Sequence, residues 1–354
     1  MGPAEVFARS FERFLLFVGR HGDCRVRRNP DLFDGRAYSP DEFYAATAPD
    51  FDRPWEFYTN PAGMPDVQDA AVAPGERRGS FRRLRFRSPF ASGYPENDVV
   101  PFKWFEGSPR SRAILLFAPG WPRAGQSFEE RFSAEIARAG VDVALLTVPF
   151  HQARTPAGAY SGEYFISSNV FWTVANFRQF VAEIRALVRW MRERYDYVGL
   201  LGMSSGGVQA GLANLCGDVD FYFPLMSACD AGGLMWSSSI TKVIRSQLQA
   251  AGIDAVALEK VWSICDLAVL GKDRAAPYCK QYLSRFDDIV PPPFQLKLWD
   301  VLGRPERRDL TVSHFSVVFA LPSVARDLAA FVARCVPLHT KAGYSTPARV
   351  PEAG

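Results

Sequence analysis

The sequence predicts an α/β protein built on a mostly parallel sheet, and three observations carry that prediction. Residues 113–118, 141–148 and 197–201 are short runs of nearly uninterrupted apolar character, as strands buried on both faces should be. The stretches between them read as helices, clearest where Phe177, Phe180, Val181, Ile184, Leu187, Val188 and Met191 recur at intervals of three and four. Strand, helix and strand at this spacing imply parallel pairing. The third observation is Gly202-Met203-Ser204-Ser205-Gly206, which joins the strand at 197–201 to a small-residue helix through a sharp turn centred on Ser204.

Taken in order, residues 4–19 form an amphipathic helix with Phe7, Phe11, Phe14, Leu15 and Val18 on one side. Such a helix either packs onto the domain or makes a peripheral contact with a membrane surface through its apolar and Arg-bearing faces. From about 25 to 75 the chain is rich in Pro, Asp and aromatics such as Trp55, Phe57 and Tyr58, and an ordered wrap with little regular structure is expected. Residues 81–87 suit an edge strand solvated by its Arg run, paired across the turn at 93–97 with a strand at 99–105. The strand at 113–118 ends in Pro119-Gly120-Trp121-Pro122, and a helix at 127–139 leads to the strand at 141–148. Residues 149–174, with His151, Tyr164, Phe165 and Trp172, are too many for a simple connection. After the elbow come a strand at 219–225 and a long, mostly helical insertion at 226–277 that reads as a lid. A strand at 278–284, a helix at 293–303, a short strand near 309–312 and a helix at 322–335 close the domain, and the tail from 337 is expected to be loose.

Composition narrows the function. Of 354 residues 48% are hydrophobic, which describes an ordered globular protein, and a net charge of +3 gives no reason to expect nucleic acid. Six scattered cysteines include no C-x-x-C pair and no His at metal-ligand spacing, so idle thiols in a reducing, cytoplasmic setting are expected, with no metal and no cofactor. No apolar stretch approaches the roughly 18 residues that span a bilayer.

Ser204 is the predicted nucleophile. A serine on a strand-to-helix bend has strained dihedrals, and small neighbours at 202 and 206 let its hydroxyl stand clear. The helix after it aims the Ser205 N–H and its own positive end at any negative charge forming beside Ser204. A serine at neutral pH needs a base, and the base needs a third group to fix its tautomer. Of four histidines, His21 lies upstream of the core and His339 in the tail, while His151 and His314 follow predicted strands. His314 is the better base because it follows the last strand, in a turn where a catalytic loop would sit. The run Asp287-Asp288-Ile289-Val290-Pro291 past a strand end supplies the acid, and the spacing Asp-x-x-Val-Pro favours Asp287 over Asp288.

The chain order Ser204, Asp287, His314, with the elbow GMSSGG, the PGWP loop, DDIVP and a terminal SHFS, resembles the α/β-hydrolase superfamily over roughly residues 80 to 336. PFHQARTP and SGEYFISSNV, followed by a long Arg-bearing helix, more narrowly resemble bacterial relatives of alpha/beta hydrolase domain-containing protein 18. The resemblance implies an α/β-hydrolase fold, with a mostly parallel eight-stranded sheet and helices on both faces. It divides the chain into an N-terminal extension at 1–79, the hydrolase domain at 80–336 with lid insertions near 150–175 and 226–277, and a tail at 337–354. By the same resemblance the Trp121 backbone N–H is the second oxyanion donor beside Ser205, with Pro119 standing where many members carry the His of His-Gly-x. The expected activity is hydrolysis of carboxylic esters, lactones or thioesters of lipophilic small molecules, with His151, Trp172 and Trp236 as candidate substrate contacts. An acyltransferase using the same acyl-enzyme and a non-catalytic binding or scaffold protein are the alternatives.

Overall fold

A computed structural model describes residues 2–18, 32–33, 36–59, 63–70, 81–107, 111–121 and 125–336, with only the backbone given at 14–18 and at Leu32. The tail expected to be loose, with His339, and the N-terminal His21 and Cys24 lie outside the described residues.

The first third of the chain holds α1 (Pro3–Val18), a short pair β1 (Leu32–Phe33) and β2 (Arg36–Ala37), α2 (Pro40–Thr47), α3 (Pro54–Phe57), β3 (Gln68–Asp69), β4 (Arg82–Arg87) and β5 (Val99–Phe105). The core follows as β6 (Ala113–Ala118), α4 (Ser127–Arg138), β7 (Asp142–Leu146), α5 (Val170–Arg192), β8 (Tyr197–Met203), α6 (Ser205–Leu215) and β9 (Phe221–Leu225). A helical insertion of α7 (Ala231–Ser237), α8 (Lys242–Ala250) and α9 (Ala255–Trp262) precedes β10 (Tyr278–Ser284), α10 (Pro292–Val301), β11 (Glu306–Leu310) and α11 (Leu321–Cys335).

One sheet runs β11-β10-β9-β8-β6-β7-β5-β4-β3. Neighbouring strands from β11 to β7 are parallel, while β5, β4 and β3 pair antiparallel at the other end. The period-2 rule sorts the core between the two faces. In β6, Ile114, Leu116 and Ala118 pack with α5 and α6, while Ala113, Leu115 and Phe117 pack with α4 and α11. Every residue of β6, β7 and β9 is buried, which is why these strands read as continuous apolar runs.

Four expectations change in detail. The eight expected strands are β4 to β11, but a ninth, β3, pairs Gln68 with Arg85 and Asp69 with Leu84, so β4 is not the edge. Two exposed polar residues leave no apolar signal to read. The wrap also contains a regular helix, α2, started by a capping box in which Ser39 accepts from the Glu42 N–H and the Glu42 carboxylate accepts from the Ser39 N–H. Helix α5 starts at Val170, where the Asn169 side chain caps the Trp172 N–H, so the preceding connection is shorter than 149–174. Strand β11 lies at Glu306–Leu310 rather than 309–312, because the end strand of the sheet is polar and only Leu310 is buried.

The connection after β7 is tied to α5 by an ion pair buried on both sides. Arg154 reaches Glu183 at 2.7 and 2.8 Å and donates to Thr147 O at 2.9 Å, while Glu183 also accepts from Ser88 Oγ and Gln179 Nε2. Every charged atom therefore has a partner. Replacing Arg154 with Met leaves a buried, uncompensated carboxylate and should cost about 3–5 kcal/mol in urea unfolding. The Arg154→Met/Glu183→Gln double variant should recover part of that loss, and a single variant as stable as wild type would contradict this account.

Candidate active site

Ser204 stands between the end of β8 and the start of α6 with φ 55° and ψ −126°. A side chain at such a φ costs about 1–3 kcal/mol and persists only where the surroundings impose it. Here they do: Ser204 N donates to Leu225 O at 2.9 Å, which ties the elbow to β9, and Gly207 N donates to Ser204 O at 3.0 Å. The flanking glycines are required by contact. A Cβ at Gly206 would lie 2.2 Å from Ala118 O, one at Gly202 would lie 2.4 Å from the Gly207 Cα, and one at Gly207 would lie 2.3 Å from Ser227 Oγ. The predicted turn is thus a close approach of the first turn of α6 to the ends of β6 and β8. Ser205 is the first residue of α6, and an N–H at that position has no acceptor within its own helix.

The loop after β6 lies against the serine. A Cβ at Gly120 would come 3.1 Å from Ser204 Cβ and 3.6 Å from Ser204 Oγ. The adjoining Trp121 is pinned by its indole N–H, which donates to Gly162 O at 2.7 Å. Pro122 lies outside the described residues.

Asp287 and His314 meet. His314 Nδ1 is 2.8 Å from Asp287 Oδ2, and both side chains are buried. The other Asp287 oxygen accepts from the N–H groups of Ile289 at 2.9 Å and Val290 at 2.7 Å, so this carboxylate is oriented from both sides. Asp288 instead faces outward to Arg9 Nη1 at 2.6 Å. Strands β8, β10 and β11 are parallel members of one sheet, so Ser204, Asp287 and His314 all follow C-terminal strand ends at the same edge.

The candidate substrate contacts are scattered. His151 is buried with Nδ1 2.8 Å from Pro149 O and its ring 5.7 Å from Phe165. Trp172 is partly buried and donates to Tyr164 O at 2.7 Å. Trp236 lines an open groove of about 480 Å³ with Ile253 and Val256 in the helical insertion. Among the described residues no group of His, Cys, Asp and Glu side chains could hold a metal ion, and no helix is long and apolar enough to cross a membrane.

The residue that sequence reasoning missed is Glu12. Helix α1 packs over the His314 loop, where Phe7 and Phe11 lie 6.1 and 5.8 Å from Phe319 while Val6 and Phe7 stay exposed. Fully buried Glu12 accepts from His314 N at 2.9 Å and from Asp288 N at 3.1 Å. The one available signal was a carboxylate among the aromatic residues of α1, with partners about 280 to 300 residues away in sequence. Gln295 was also missed: it accepts from Ser284 N at 2.9 Å and donates to Val290 O at 2.7 Å, bracing the Asp287 turn.

No family model and no curated protein matches the chain. Solved structures do. Acetyl xylan esterase from Paenibacillus sp. R4 superposes with a TM-score of 0.58 at 14% identity, over 79% of this chain and 94% of that one. Brefeldin A esterase, a bacterial homologue of human hormone sensitive lipase, gives 0.52 at 15% over 94% and 93%. Pyrococcus horikoshii acylaminoacyl peptidase gives 0.52 at 13% over 76% of this chain and 44% of its own. The chain has the α/β-hydrolase fold.

Burial, and then the nearby Asp287 carboxylate, raise the Glu12 pKa above the ordinary range, against the opposing pull of His314, Ser313 and the Asp288 N–H. A carboxyl raised in the folded state contributes its stability below its unfolded value, about 4.3, and that contribution is lost as pH rises through the folded value. The stability of wild type relative to Glu12→Gln should therefore decline as pH rises from about 4 and level off above the Glu12 pKa. Urea unfolding of both proteins across pH checks this, and a pH-independent difference would refute it.

Proposed function

We propose that the chain is a serine hydrolase that cleaves carboxylic esters, lactones or thioesters of lipophilic small molecules through an acyl-enzyme on Ser204. The observation that carries this reading is the Asp287–His314 hydrogen bond of 2.8 Å, at the same sheet edge as a serine held at φ 55°. An aspartate bonded to one imidazole nitrogen fixes the tautomer that leaves the other nitrogen as a proton acceptor, and it stabilises the imidazolium once formed. The esterase names of the first two structures of the same fold support the ester chemistry.

In this mechanism His314 takes the Ser204 proton as the hydroxyl attacks the carbonyl carbon. The Ser205 and Trp121 backbone amides hold the oxyanion, the leaving alcohol takes the proton from His314, and water then cleaves the acyl-enzyme with His314 again as base. Asp287 is the acid of the set, because it holds His314 while Asp288 pairs with Arg9. Gly120 serves the same geometry: a side chain there would press on the nucleophile.

Labelling with a fluorophosphonate probe tests the reading most directly. Wild type should take the label, and Ser204→Ala and His314→Ala should not. With a chromogenic ester, losing Ser204 or His314 should cost on the order of 10⁶ in kcat. Asp287→Asn should cost on the order of 10⁴, whereas Asp288→Asn should cost far less. Folded wild type that takes neither this probe nor smaller ones would sink the proposal, and equal losses at the two aspartates would sink the assignment of the acid.

A further inference from the structure

We propose that Glu12, on the N-terminal helix, is a positioning residue for the Asp287–His314 pair, gripping both loops at once through their backbone N–H groups. The proposal rests on the triad reading above. Its basis is connectivity. One carboxylate oxygen accepts from His314 N at 2.9 Å and the other from Asp288 N at 3.1 Å. These are the amides of the base itself and of the residue next to the acid, so one rigid side chain sets the separation of two loops that follow different strands.

The charged groups around Glu12 explain why a carboxylate serves here. Asp287, His314 and the Ser313 side chain lie close to it and the Asp288 N–H donates to it, while the Asp288 carboxylate turns to Arg9 of the same helix. Burying a carboxylate carries a large desolvation cost, and a helix that needed only to dock could present an apolar residue at this position. Docking has other supports, since Phe7 and Phe11 pack on Phe319 and Arg9 pairs with Asp288. The part that Glu12 alone supplies is a shared acceptor for the two loop amides. Its carboxylate is also close enough to His314 for the two to interact electrostatically.

Glu12→Gln and Glu12→Asp separate positioning from anchoring. Glutamine turns one oxygen into an NH2 that faces a backbone donor, so one loop loses its acceptor; aspartate keeps the charge but is one methylene short. For Glu12→Gln, kcat should fall on the order of 10- to 100-fold, as expected for small misplacement of catalytic groups, with KM changed less than about twofold. Glu12→Asp should show a smaller loss of the same kind. The far-downfield proton resonance of the His314 Nδ1–H bonded to Asp287 should weaken or shift in both. A lowered unfolding midpoint with kcat and that resonance unchanged in both variants would overturn the proposal and leave Glu12 as a helix anchor. Should one variant fail to fold, the other decides by the same two readouts. Because the resonance needs no substrate, it reports on Glu12 even if wild type hydrolyses no ester and takes no probe, an outcome that would count against the proposed function instead.

Discussion

The C-terminal edge of the sheet depends on how closely the first turn of α6 approaches the ends of β6 and β8. Gly202, Gly206 and Gly207 sit where any side chain would overlap backbone or neighbouring atoms, and Gly120 is drawn against the side chain of Ser204 from the opposite loop. This contact fixes the serine in a conformation that an unrestrained chain would leave. It also brings the amide-rich start of a helix and a loop of the neighbouring strand to one point. Under the proposed mechanism such a contact matters, because oxyanion stabilisation needs donors fixed before the charge appears.

At the other end of the proposed site the constraint is electrostatic. Asp287 and Glu12 are two carboxylates close to one imidazole, with the Asp288 carboxylate turned outward beside them, an arrangement that would repel itself unless each had its own partners. Asp287 has two backbone amides and the imidazole, Asp288 has Arg9, and Glu12 has the amides of His314 and Asp288. Burial first, and the Asp287 carboxylate second, raise the Glu12 pKa.

What the sequence revealed and what it hid follow from where each signal lies. Strands β6, β7 and β9 are buried on both faces, so their composition announced them, and α5 and α11 carry a strong helical period. The elbow was readable because its glycines answer a local steric need, and the Asp-x-x-Val-Pro pattern that favoured Asp287 over Asp288 coincides with a turn in which Asp287 Oδ1 accepts from the amides two and three residues on. Glu12 left no such trace, since the amides that it accepts from belong to residues distant in sequence. Strands β3 and β11 were missed or shifted because exposed, polar end strands are held by main-chain bonds that any residue can make. Trp172 and Trp236 were singled out by residue type, which carries no information on the carbonyl that the Trp172 indole bonds or on the groove that Trp236 lines.

The segment between β7 and α5 has more to do than cover a site. The loop bearing Trp121 is held by a contact outside itself. The Trp121 indole supplies it by reaching Gly162 O, within that segment. The segment is in turn anchored by Arg154 on Glu183 of α5, and Gly162 N itself donates to Phe150 O. Support for the loop beside Ser204 thus runs from a buried ion pair through an aromatic side chain to the backbone. A connection that merely bridged two elements could stay loose, whereas one that braces the loop beside Ser204 must hold its own shape, and His151, Arg154 and Phe165 within it are all buried.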